Sequence, residues 1–314
     1  MSTNVARTAD GWWVVSADAL ATPVRTTATT TAELLADREA VAAAAATDAG
    51  AVPVTDLELL SPVTTPARVV AQMVNYRSHA HDSGFDPDSV PPTFFRKSSS
   101  SVTGPTGDIV RPGHVRFLDY EVELGLVLGA PLPIGTEVTD EELGDYVAGL
   151  VVTDDVSARE IQLTRTQFYE SKSYPTFTPV GPYLTLVDAA ELRRLAELRL
   201  RLSVNGEVRQ DSSVAEMIVR PARALSLLAR FQPLAPGDLL LTGTPGGTAL
   251  KAPHVVVEKI GALLPPKVKW KVFFDKQASN PRYLRDGDAV SARIATPDGA
   301  IDLGSQHHRI AVAP

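Results

Sequence analysis

Cysteine is absent from this sequence of 314 residues, which excludes disulfides, thiolate metal sites and cysteine nucleophiles together. Basic clusters of the kind that follow a nucleic-acid backbone are absent too, and the formal net charge is −7. The densest basic stretch places Lys267, Lys269 and Lys271 at alternate positions, which indicates one solvated face of a strand. We therefore expect no nucleic-acid partner. An acidic protein can still bind an anionic substrate, because a bound divalent ion can dominate the local field.

Long apolar runs are missing as well, so we expect no membrane association. The alanine run at residues 42–46 is too short to span a bilayer and is followed by Thr47 and Asp48, and it predicts a helix. Residues 1–15 lack the charged region, apolar core and cleavage site of a signal peptide. Together with the absence of cysteine, these features lead us to expect a cytoplasmic protein.

The composition that is present, 44% hydrophobic and 21% charged residues, is typical of a globular protein. A chain this long can fold without a structural metal, so any bound metal is expected to serve chemistry. Residues 1–66 are interpreted as a small N-terminal domain, with predicted strands at 12–15 and 57–60 and a predicted helix at 31–46. Over residues 67–314, short apolar runs punctuated by glycine and proline predict a mainly β (α+β) fold.

Local motifs place several turns and helices in the larger domain. The Asn-Gly pair at 205–206 predicts a hairpin turn, and Pro-Gly-Asp at 236–238 predicts a turn into a strand at 239–241. Capping boxes that begin at Ser157 and Ser213 predict two helix starts, and the first helix is expected to run to about residue 170. Pro221 is predicted to lie in the first turn of a helix that ends near residue 231.

Two carboxylates, Glu121 and Glu123, lie on one face of a predicted strand at residues 119–128. At this spacing their backbone positions are roughly 7 Å apart, so both side chains can reach one ion. The solvated face of an amphipathic strand would explain the same alternation. However, the strand continues as Leu-Val-Leu, which indicates burial on both sides, and buried carboxylates are costly without a cation. A hard cation with oxygen ligands would resolve this conflict.

A third acid follows a second buried strand, predicted at residues 147–152. Asp154 and Asp155 come at the end of this strand, just before a predicted helix, where side chains face the site-bearing edge of a fold. We expect Asp154 to help cap the helix and Asp155 to be the candidate ligand. Three carboxylates without His or Cys nearby favour Mg²⁺, Mn²⁺ or Ca²⁺ over Zn²⁺ or Cu²⁺, and an open Mg²⁺ or Mn²⁺ site would suit catalysis.

Polar residues also gather after an apolar strand at residues 70–74. His79 and Asp82 are three residues apart and share a face of one helical turn, and a carboxylate that orients a histidine is the usual construction of a general base. An ordinary surface contact would fit the same spacing.

Lys172 is interpreted either as a contact to an anionic substrate or as a solvated side chain. The glycine-rich turn at 242–247 is able to present backbone N–H groups to an anion.

A set of short motifs resembles the fumarylacetoacetate hydrolase family, in its acylpyruvase and 2-hydroxyhepta-2,4-diene-1,7-dioate isomerase-like branch. The motifs occur in the family's order over about residues 60–310: Asn75-Tyr76-Arg77-Ser78-His79, Pro92-Thr-Phe-Phe95 with Lys97, Asp119-Tyr-Glu121-Val-Glu123-Leu124, Asp155-Val-Ser-Ala-Arg159, Lys172-Ser173, Gly181-Pro182 and Thr242-Gly-Thr244-Pro245. Each motif is modest alone, but the ordered set is specific.

The resemblance implies a catalytic domain folded as a mixed β-sandwich roll, a homodimer, and Mg²⁺ or Mn²⁺ at the site. It implies that Glu121, Glu123 and Asp155 hold the metal, and that His79 with its acidic partner Asp82 performs base chemistry. The remaining residues that it places in the site are one catalytic lysine and four substrate contacts: Lys172, Tyr76, Arg159, Gln162 and Thr244.

Family substrates are mostly 2-oxo or 1,3-dicarbonyl acids. The leading hypothesis is therefore a hydrolase that cleaves a C–C bond of an acylpyruvate-like acid, with water activated by His79. The alternative is an isomerase, tautomerase or decarboxylase of a 2-oxo acid, and the complete ligand set disfavours a non-catalytic binding protein.

Two departures from the family pattern bear on the substrate. Family members often carry Glu where this chain has Asp82, and the stretch between residues 244 and 287 is longer, with 267–274 interpreted as an added hairpin near the site or the dimer contact.

Overall fold

The structure is a computed structural model that describes residues 2–165, 167–252 and 265–313. The strands are β1 Thr3–Thr8, β2 Gly11–Val15, β3 Leu20–Pro23, β4 Val52–Pro53, β5 Val69–Met73, β6 Thr93–Lys97, β7 Val102–Thr103, β8 Thr106–Arg111, β9 Leu118–Asp119, β10 Val122–Leu128, β11 Val147–Asp154, β12 Ser157–Ala158, β13 Thr178–Pro179, β14 Leu184–Leu186, β15 Arg199–Val204, β16 Glu207–Ser213, β17 Leu239–Leu241, β18 Ala289–Ala295 and β19 Asp302–Val312. The helices are α1 Thr31–Ala36, α2 Arg38–Ala45, α3 Arg77–Asp82, α4 Leu143–Tyr146, α5 Arg159–Thr164, α6 Ala189–Leu192, α7 Pro221–Ala229 and α8 Pro266–Gln277. Short 3₁₀ helices lie at Val54–Asp56, Ser99–Ser101, Glu170–Lys172, Leu195–Glu197 and Val214–Glu216.

Two large mixed sheets form the frame of the molecule. The ten-stranded sheet has the order β4-β3-β2-β1-β14-β11-β10-β17-β5-β6, and the five-stranded sheet has the order β16-β15-β18-β19-β8. Most neighbours are antiparallel, but β5 pairs with β17, and β8 with β19, in parallel. These sheets confirm the predicted mainly β (α+β) fold. No helix within the three described ranges is long and apolar enough to cross a membrane.

The central strands β10 and β11 are buried along their whole length, as the apolar runs predicted. The single strand predicted at residues 119–128 is wrong at its start, because residues 120–121 separate β9 from β10 and Glu121 lies outside the strand. Because strand side chains alternate between faces, neighbouring residues of β10 enter different cores. Leu126 belongs to the larger core, and Val127 packs with Val5 and Trp12 from the N-terminal strands. The N-terminal strands also continue the ten-stranded sheet, where β1 pairs with β14. The domain boundary at residue 66 stays a prediction.

The predicted helix at 31–46 is wrong in one respect, since it consists of α1 and α2 with a break at Asp37. Each helix has its own cap: Thr30 and Glu33 form a capping box, and the Asp37 carboxylate accepts from the Ala40 N–H at 3.3 Å. A capping aspartate inside the run therefore outweighs the helix propensity of the alanines. The predicted strand at 57–60 is reduced to a single bridge between Leu60 and Arg7.

The capping box predicted at Ser157 is not formed. Ser157 lies in β12 and donates its hydroxyl to the Asp155 carbonyl at 2.8 Å, while the Glu160 carboxylate accepts from the Arg116 and Phe117 N–H groups. The helix that follows, α5, ends at Thr164 rather than near residue 170. At the second predicted box, the Ser213 hydroxyl accepts from the Ala215 N–H and begins only a 3₁₀ turn.

The extension at residues 267–274 is helical, so the predicted strand and hairpin are wrong. Helix α8 begins with a proline in its first turn and contains an i,i+4 ion pair between Lys271 and Asp275 at 2.6 Å. Its aromatic residues Trp270, Phe273 and Phe274 follow the i, i+3, i+4 spacing of one helix face. The aromatic spacing indicates a helix, whereas the alternating lysines were interpreted as one face of a strand. Residues 253–264 of the same extension lie outside the described residues.

Other local predictions are confirmed. Asn205 and Gly206, with φ of 52° and 79°, form the turn between β15 and β16, as a hairpin with two left-handed residues requires. Pro221 occupies the first turn of α7, which ends at Ala229. The turn at 236–238 leads into β17.

Candidate functional site

Three buried carboxylates meet where β10 and β11 approach their neighbouring loops. Glu123 lies in β10 opposite Thr153 of β11, Glu121 lies just before β10, and Asp155 lies just after β11. The Asp155 N–H donates to the Glu121 carbonyl at 2.9 Å, which fixes the two loops together. One oxygen from each carboxylate lies within 4.8 Å of the others. The three predicted ligands are therefore brought together, as one ion would require.

Asp154, the neighbour of Asp155, does not cap α5 as predicted. One of its oxygens accepts from the Glu121 N–H at 2.7 Å, and the other is buried without a hydrogen-bond partner in the described part of the chain. Burial raises the pKa of Asp154 to about 7, although the Glu121 N–H opposes this shift. Asp154 therefore shapes the loop that carries Glu121.

Three buried cations surround the carboxylates. Lys172 donates to Glu121 and to Asp155, at 2.6 Å in each case. Arg159 donates to the other Glu121 oxygen at 2.5 Å, and Lys97 donates to the other Asp155 oxygen. The predicted solvated alternative for Lys172 is thereby excluded, since this side chain is buried. Each contact joins residues far apart in sequence, so the fold itself builds the site.

Asp119 and Lys97 are members of this network whose roles the sequence analysis missed. Asp119 accepts from Arg159 Nε at 2.8 Å and from the Ala249 and Leu250 N–H groups, which fixes the guanidinium and the loop after the glycine-rich turn. Lys97 also donates to the Phe177 carbonyl at 2.9 Å. The sequence of β6, Thr-Phe-Phe-Arg-Lys, ends in two adjacent charges and carries no signal that Lys97 is buried while Arg96 is exposed.

Glu121 and Glu123 have opposite pKa shifts. Burial raises the pKa of Glu121, but Arg159 and Lys172 outweigh it and hold that pKa well below its ordinary value. Burial, together with the negative charges of Asp155 and Glu121, raises the pKa of Glu123 well above its ordinary value. Glu123 is thus the carboxylate least compensated by protein charges.

A divalent cation fits this donor set. Besides Asp154, four buried carboxylates (Asp119, Glu121, Glu123 and Asp155) face three buried cations (Lys97, Arg159 and Lys172). Among the described residues, the Glu123 carboxylate accepts its hydrogen bond from the Gly243 N–H, at 2.7 Å. A further positive charge beside Glu123 would relieve the repulsion that raises its pKa. Oxygen-only ligands match the preference of Mg²⁺ or Mn²⁺.

His79 lies in α3 and lines the same cavity as the three carboxylates. Its Nδ1 is buried and has no hydrogen-bond partner in the three described ranges, and burial lowers the pKa of the ring. The helix is positioned by Asn75, whose side chain donates to the Thr242 carbonyl at 2.6 Å and accepts from the Val219 N–H at 2.7 Å.

Asp82 is not brought to His79. Its two carboxylate oxygens accept from the Gly247 N–H at 3.0 Å and from the Lys251 ammonium at 3.1 Å. The glycine-rich turn therefore presents N–H groups to anions of the chain itself, Asp82 and Glu123. The predicted carboxylate–histidine pair is not formed.

The predicted substrate contacts divide into two groups. Arg159, Gln162 and Thr244 line the cavity, together with Lys172. Gln162 accepts from the Arg159 guanidinium at 2.7 Å, which holds both side chains at the cavity wall. Tyr76 is fully buried and does not belong to the lining formed by the described residues, and burial together with the Glu123 charge raises the pKa of its hydroxyl.

The cavity that joins these groups has a volume of about 870 Å³. Its polar lining includes the acidic cluster, His79, Arg159 and Lys172. Its apolar lining includes Phe85, Phe95, Phe168, Leu250, Trp270 and Phe273. A buried ionic cluster opening into an apolar cavity is the usual form of a small-molecule site.

A dense carboxylate cluster at the end of central strands of a mixed sheet defines a candidate metal-dependent enzyme, and comparison with known proteins identifies its family. Residues 68–311 match the family model for the Fumarylacetoacetate (FAA) hydrolase C-terminal domain. A 2,4-didehydro-3-deoxy-L-rhamnonate hydrolase from Sphingomonas sp. (strain SKA58) is 35% identical over 252 residues, which cover 79% of this chain and 86% of that protein. The chain therefore belongs to the fumarylacetoacetate hydrolase family.

Two further relatives show how widely activities differ within this family. A mitochondrial oxaloacetate tautomerase from Rattus norvegicus is 34% identical over 212 residues, which cover 66% of this chain and 65% of the relative. The crystal structure of a probable 2-hydroxyhepta-2,4-diene-1,7-dioate isomerase from Mycobacterium abscessus superimposes with a TM-score of 0.75 at 26% identity, covering both chains completely. The family identifies the protein as an enzyme and leaves the reaction to be proposed.

Proposed function

We propose that the protein is a divalent-metal-dependent hydrolase that cleaves a C–C bond of an acylpyruvate-like 2,4-dioxo acid. The observation that carries the proposal is the buried cluster of Glu121, Glu123 and Asp155 beside His79 in one cavity. The hydrolase relative from Sphingomonas, which matches over most of its length, supports the same reaction class.

In this proposal Glu121, Glu123 and Asp155 hold Mg²⁺ or Mn²⁺. When bound, the ion would polarise the 2-oxo group and stabilise negative charge on its oxygen. Arg159 and Lys172 neutralise two of the carboxylates, so that the cluster does not repel an anionic substrate. Gln162 lines the cavity where its amide N–H groups can orient the substrate carboxylate. The Thr244 hydroxyl also lies in the lining, but it donates to the Val122 carbonyl and accepts from the Gln210 amide, both at 2.9 Å, so it has no free proton for the substrate.

His79 accepts a proton from water, and the water oxygen forms a bond to the C4 carbonyl carbon of the substrate. The C3–C4 bond then breaks, and its electron pair passes to C3 to give the enolate of pyruvate. That enolate takes a proton at C3, so the products are pyruvate and the carboxylic acid derived from the acyl group. A buried imidazole with a lowered pKa is neutral at physiological pH, as a proton acceptor must be.

Product analysis tests the proposal directly. Purified protein loaded with Mg²⁺ or Mn²⁺ is incubated with acetylpyruvate, benzoylpyruvate and oxaloacetate, and products are identified by mass spectrometry and NMR. Pyruvate and the matching carboxylic acid in equal amounts are expected from the acylpyruvates. Deuterium exchange, tautomerisation or CO₂ release without cleavage would reject the hydrolase.

Tautomerisation of a 2-oxo acid is a second candidate, and the position of Asp82 favours it. The Asp82 carboxylate accepts from the Gly247 N–H and from the Lys251 ammonium. It therefore does not orient His79 for water activation. Moving a proton between C3 and the 2-oxo oxygen needs a base but no attacking water. The oxaloacetate tautomerase relative supports this reading. In the product assay, accelerated enol–keto conversion of oxaloacetate, followed by absorbance, would favour it over hydrolysis.

A further inference from the structure

The cavity is far larger than the dioxo-acid group that the acidic cluster would bind. Its volume of about 870 Å³ falls among the larger sites for drug-sized ligands, whereas a pyruvate unit has only six heavy atoms. The remaining space is lined mainly by apolar side chains, among them Phe85, Phe95 and Leu250. An apolar wall that stays in contact with water is costly, so it predicts an apolar ligand group.

Helix α8 supplies a distinct part of this wall. Phe274 is buried and stacks on Phe117, with centroids 5.5 Å apart and planes 16° apart, and this contact fixes the helix to the segment that leads to Asp119. Trp270 stacks on Phe274 at 5.6 Å, and Phe273 meets the Trp270 ring edge-on at 5.9 Å. Trp270 and Phe273 are only partly buried, and both line the cavity. The helix therefore holds two aromatic faces in a set position beside the open volume.

We propose that α8 forms a tail subsite, defined by Trp270 and Phe273, that selects substrates with an aromatic or other bulky apolar acyl group. The inference rests on the proposed function for the bound acid group and adds the substrate class. Aromatic rings pack well against an aryl tail, by offset stacking or edge-to-face contact. An aroylpyruvate is the simplest substrate of this kind.

Two of the three lysines that line the cavity near the subsite already have partners within the protein. Lys251 is paired with Asp82 at 3.1 Å, and the Lys269 ammonium lies 5.7 Å from the centre of the Trp270 ring. Both cations therefore have partners already. Lys276 also lines the cavity and is the cation that a carboxylate-ended tail would approach. A carboxylate-ended analogue is thus the discriminating probe.

Binding of non-hydrolysable analogues tests the subsite separately from the reaction. The metal-loaded protein is titrated calorimetrically with 2-oxobutanoate, 2-oxo-4-phenylbutanoate and 2-oxoadipate, all of which lack a 4-oxo group and cannot undergo the proposed cleavage. The phenyl compound is expected to bind at least about tenfold more tightly than 2-oxobutanoate. Equal binding of these two, or tightest binding of 2-oxoadipate, would overturn the proposal.

Variants on α8 locate the preference. Trp270→Ala is expected to lower the ratio of the affinity for 2-oxo-4-phenylbutanoate to the affinity for 2-oxobutanoate by about tenfold. Trp270→Phe is expected to retain most of this ratio, because it keeps an aromatic ring. Val268→Ala is the matched control, because Val268 is 45% exposed on the same helix and does not belong to the described cavity lining. An unchanged ratio in Trp270→Ala, with circular dichroism showing α8 retained, would reject the subsite. A retained phenyl preference without acylpyruvate cleavage would reject the hydrolase and leave the subsite standing.

Discussion

At the scale of single residues, Glu123 is the carboxylate on which metal binding is expected to depend most. It is buried near the start of β10, and the hydrogen bond that its carboxylate accepts from the described residues comes from the Gly243 N–H. The substitution Glu123→Gln keeps that hydrogen bond and removes one charge, so it is expected to weaken Mn²⁺ binding by at least about 100-fold while the fold persists. Calorimetric titration measures the affinity. Glu207→Gln, at a 65% exposed side chain, is the control, and unchanged affinity in Glu123→Gln would show that the metal lies elsewhere.

Stability below neutral pH is expected to depend on His308, which is remote in sequence from the acidic cluster. Burial lowers the pKa of His308 to about 4, and its Nε2 has no hydrogen-bond partner within the described ranges. The unfolded chain, with a pKa near 6.5, therefore binds the proton first, and stability is lost as pH falls from about 6.5 towards 4. The loss attributable to this group is expected to reach about 3 kcal/mol.

Urea unfolding of the protein at pH 7.5 and at pH 4.5 measures this loss. His308→Gln retains a donor for the Gly107 carbonyl, which His308 Nδ1 contacts at 3.3 Å. The difference in unfolding free energy between the two pH values is expected to be smaller in this variant. Identical differences in the two proteins would mean that His308 is protonated equally well in the folded state.

The residues of the site were predictable to different degrees. Glu121 and Glu123 could be proposed because carboxylates beside an apolar strand are conspicuous, whereas the choice of Asp155 over Asp154 depended on the family motif. The structure brings the three carboxylates within 4.8 Å of one another. The pairing of Arg159 with Asp119 and of Lys97 with Asp155 could not be proposed, because these partners are 40 and 58 residues apart and follow no local period. The predicted pairing of Asp82 with His79 was wrong although a local period supported it. The spacing fits, but the Asp82 oxygens accept hydrogen bonds from Gly247 and Lys251, which are distant in sequence.

At the scale of elements, Asn75 is expected to hold the end of β5, the strand β17 and the segment before α7 together. Its side chain makes hydrogen bonds of 2.6 and 3.1 Å to the Thr242 and Val219 carbonyls and accepts one of 2.7 Å from the Val219 N–H. Asn75→Ala leaves buried backbone groups unpaired, so it is expected to lower the free energy of unfolding by about 2–4 kcal/mol. It is also expected to lower kcat, because α3 carries His79.

Asn4→Ala is a matched control for this prediction. Asn4 also bridges two segments, through Asp302 and Thr185, but it lies away from the cavity. Urea unfolding and steady-state kinetics are measured on both variants. Asn4→Ala is expected to lower stability with kcat unchanged, and an unchanged kcat in Asn75→Ala would mean that α3 is positioned by its other contacts.

Elements were predicted well where local chemistry decides them and poorly where tertiary contacts do. The Asn-Gly hairpin at 205–206 and the helix that begins at Pro221 follow from backbone preferences. Helix α8 was predicted as a strand because its lysines alternate, whereas its folded form follows the packing of Trp270 and Phe274 towards Phe117. The Ser157 box failed because Ser157 and Glu160 bond to the Asp155 loop and the segment before β9 instead.

At the scale of the whole molecule, the acidic cluster is expected to couple metal binding to the stability of the central sheet. Its ligands come from β10, from the loop before it and from the loop after β11, so an ion held by all three can bind only the folded chain. The same arrangement explains the limit of sequence analysis. The motifs predict the candidate ligands, but the pairing of β10 with β11 that brings them together joins segments far apart in sequence, inside a ten-stranded sheet.

Metal removal is therefore expected to destabilise the protein globally. At a free Mn²⁺ concentration of 100 times Kd, binding to the folded state alone adds about 2.7 kcal/mol to the free energy of unfolding. For a chain of this size that corresponds to a rise in Tm of about 5 °C. Thermal unfolding is followed by circular dichroism with EDTA and with increasing Mn²⁺. The rise is expected to disappear in Glu123→Gln and to persist in Glu207→Gln, because only the first variant changes the cluster. A Tm that does not respond to Mn²⁺ in the unsubstituted protein would contradict a metal centre built from these three strand-end carboxylates.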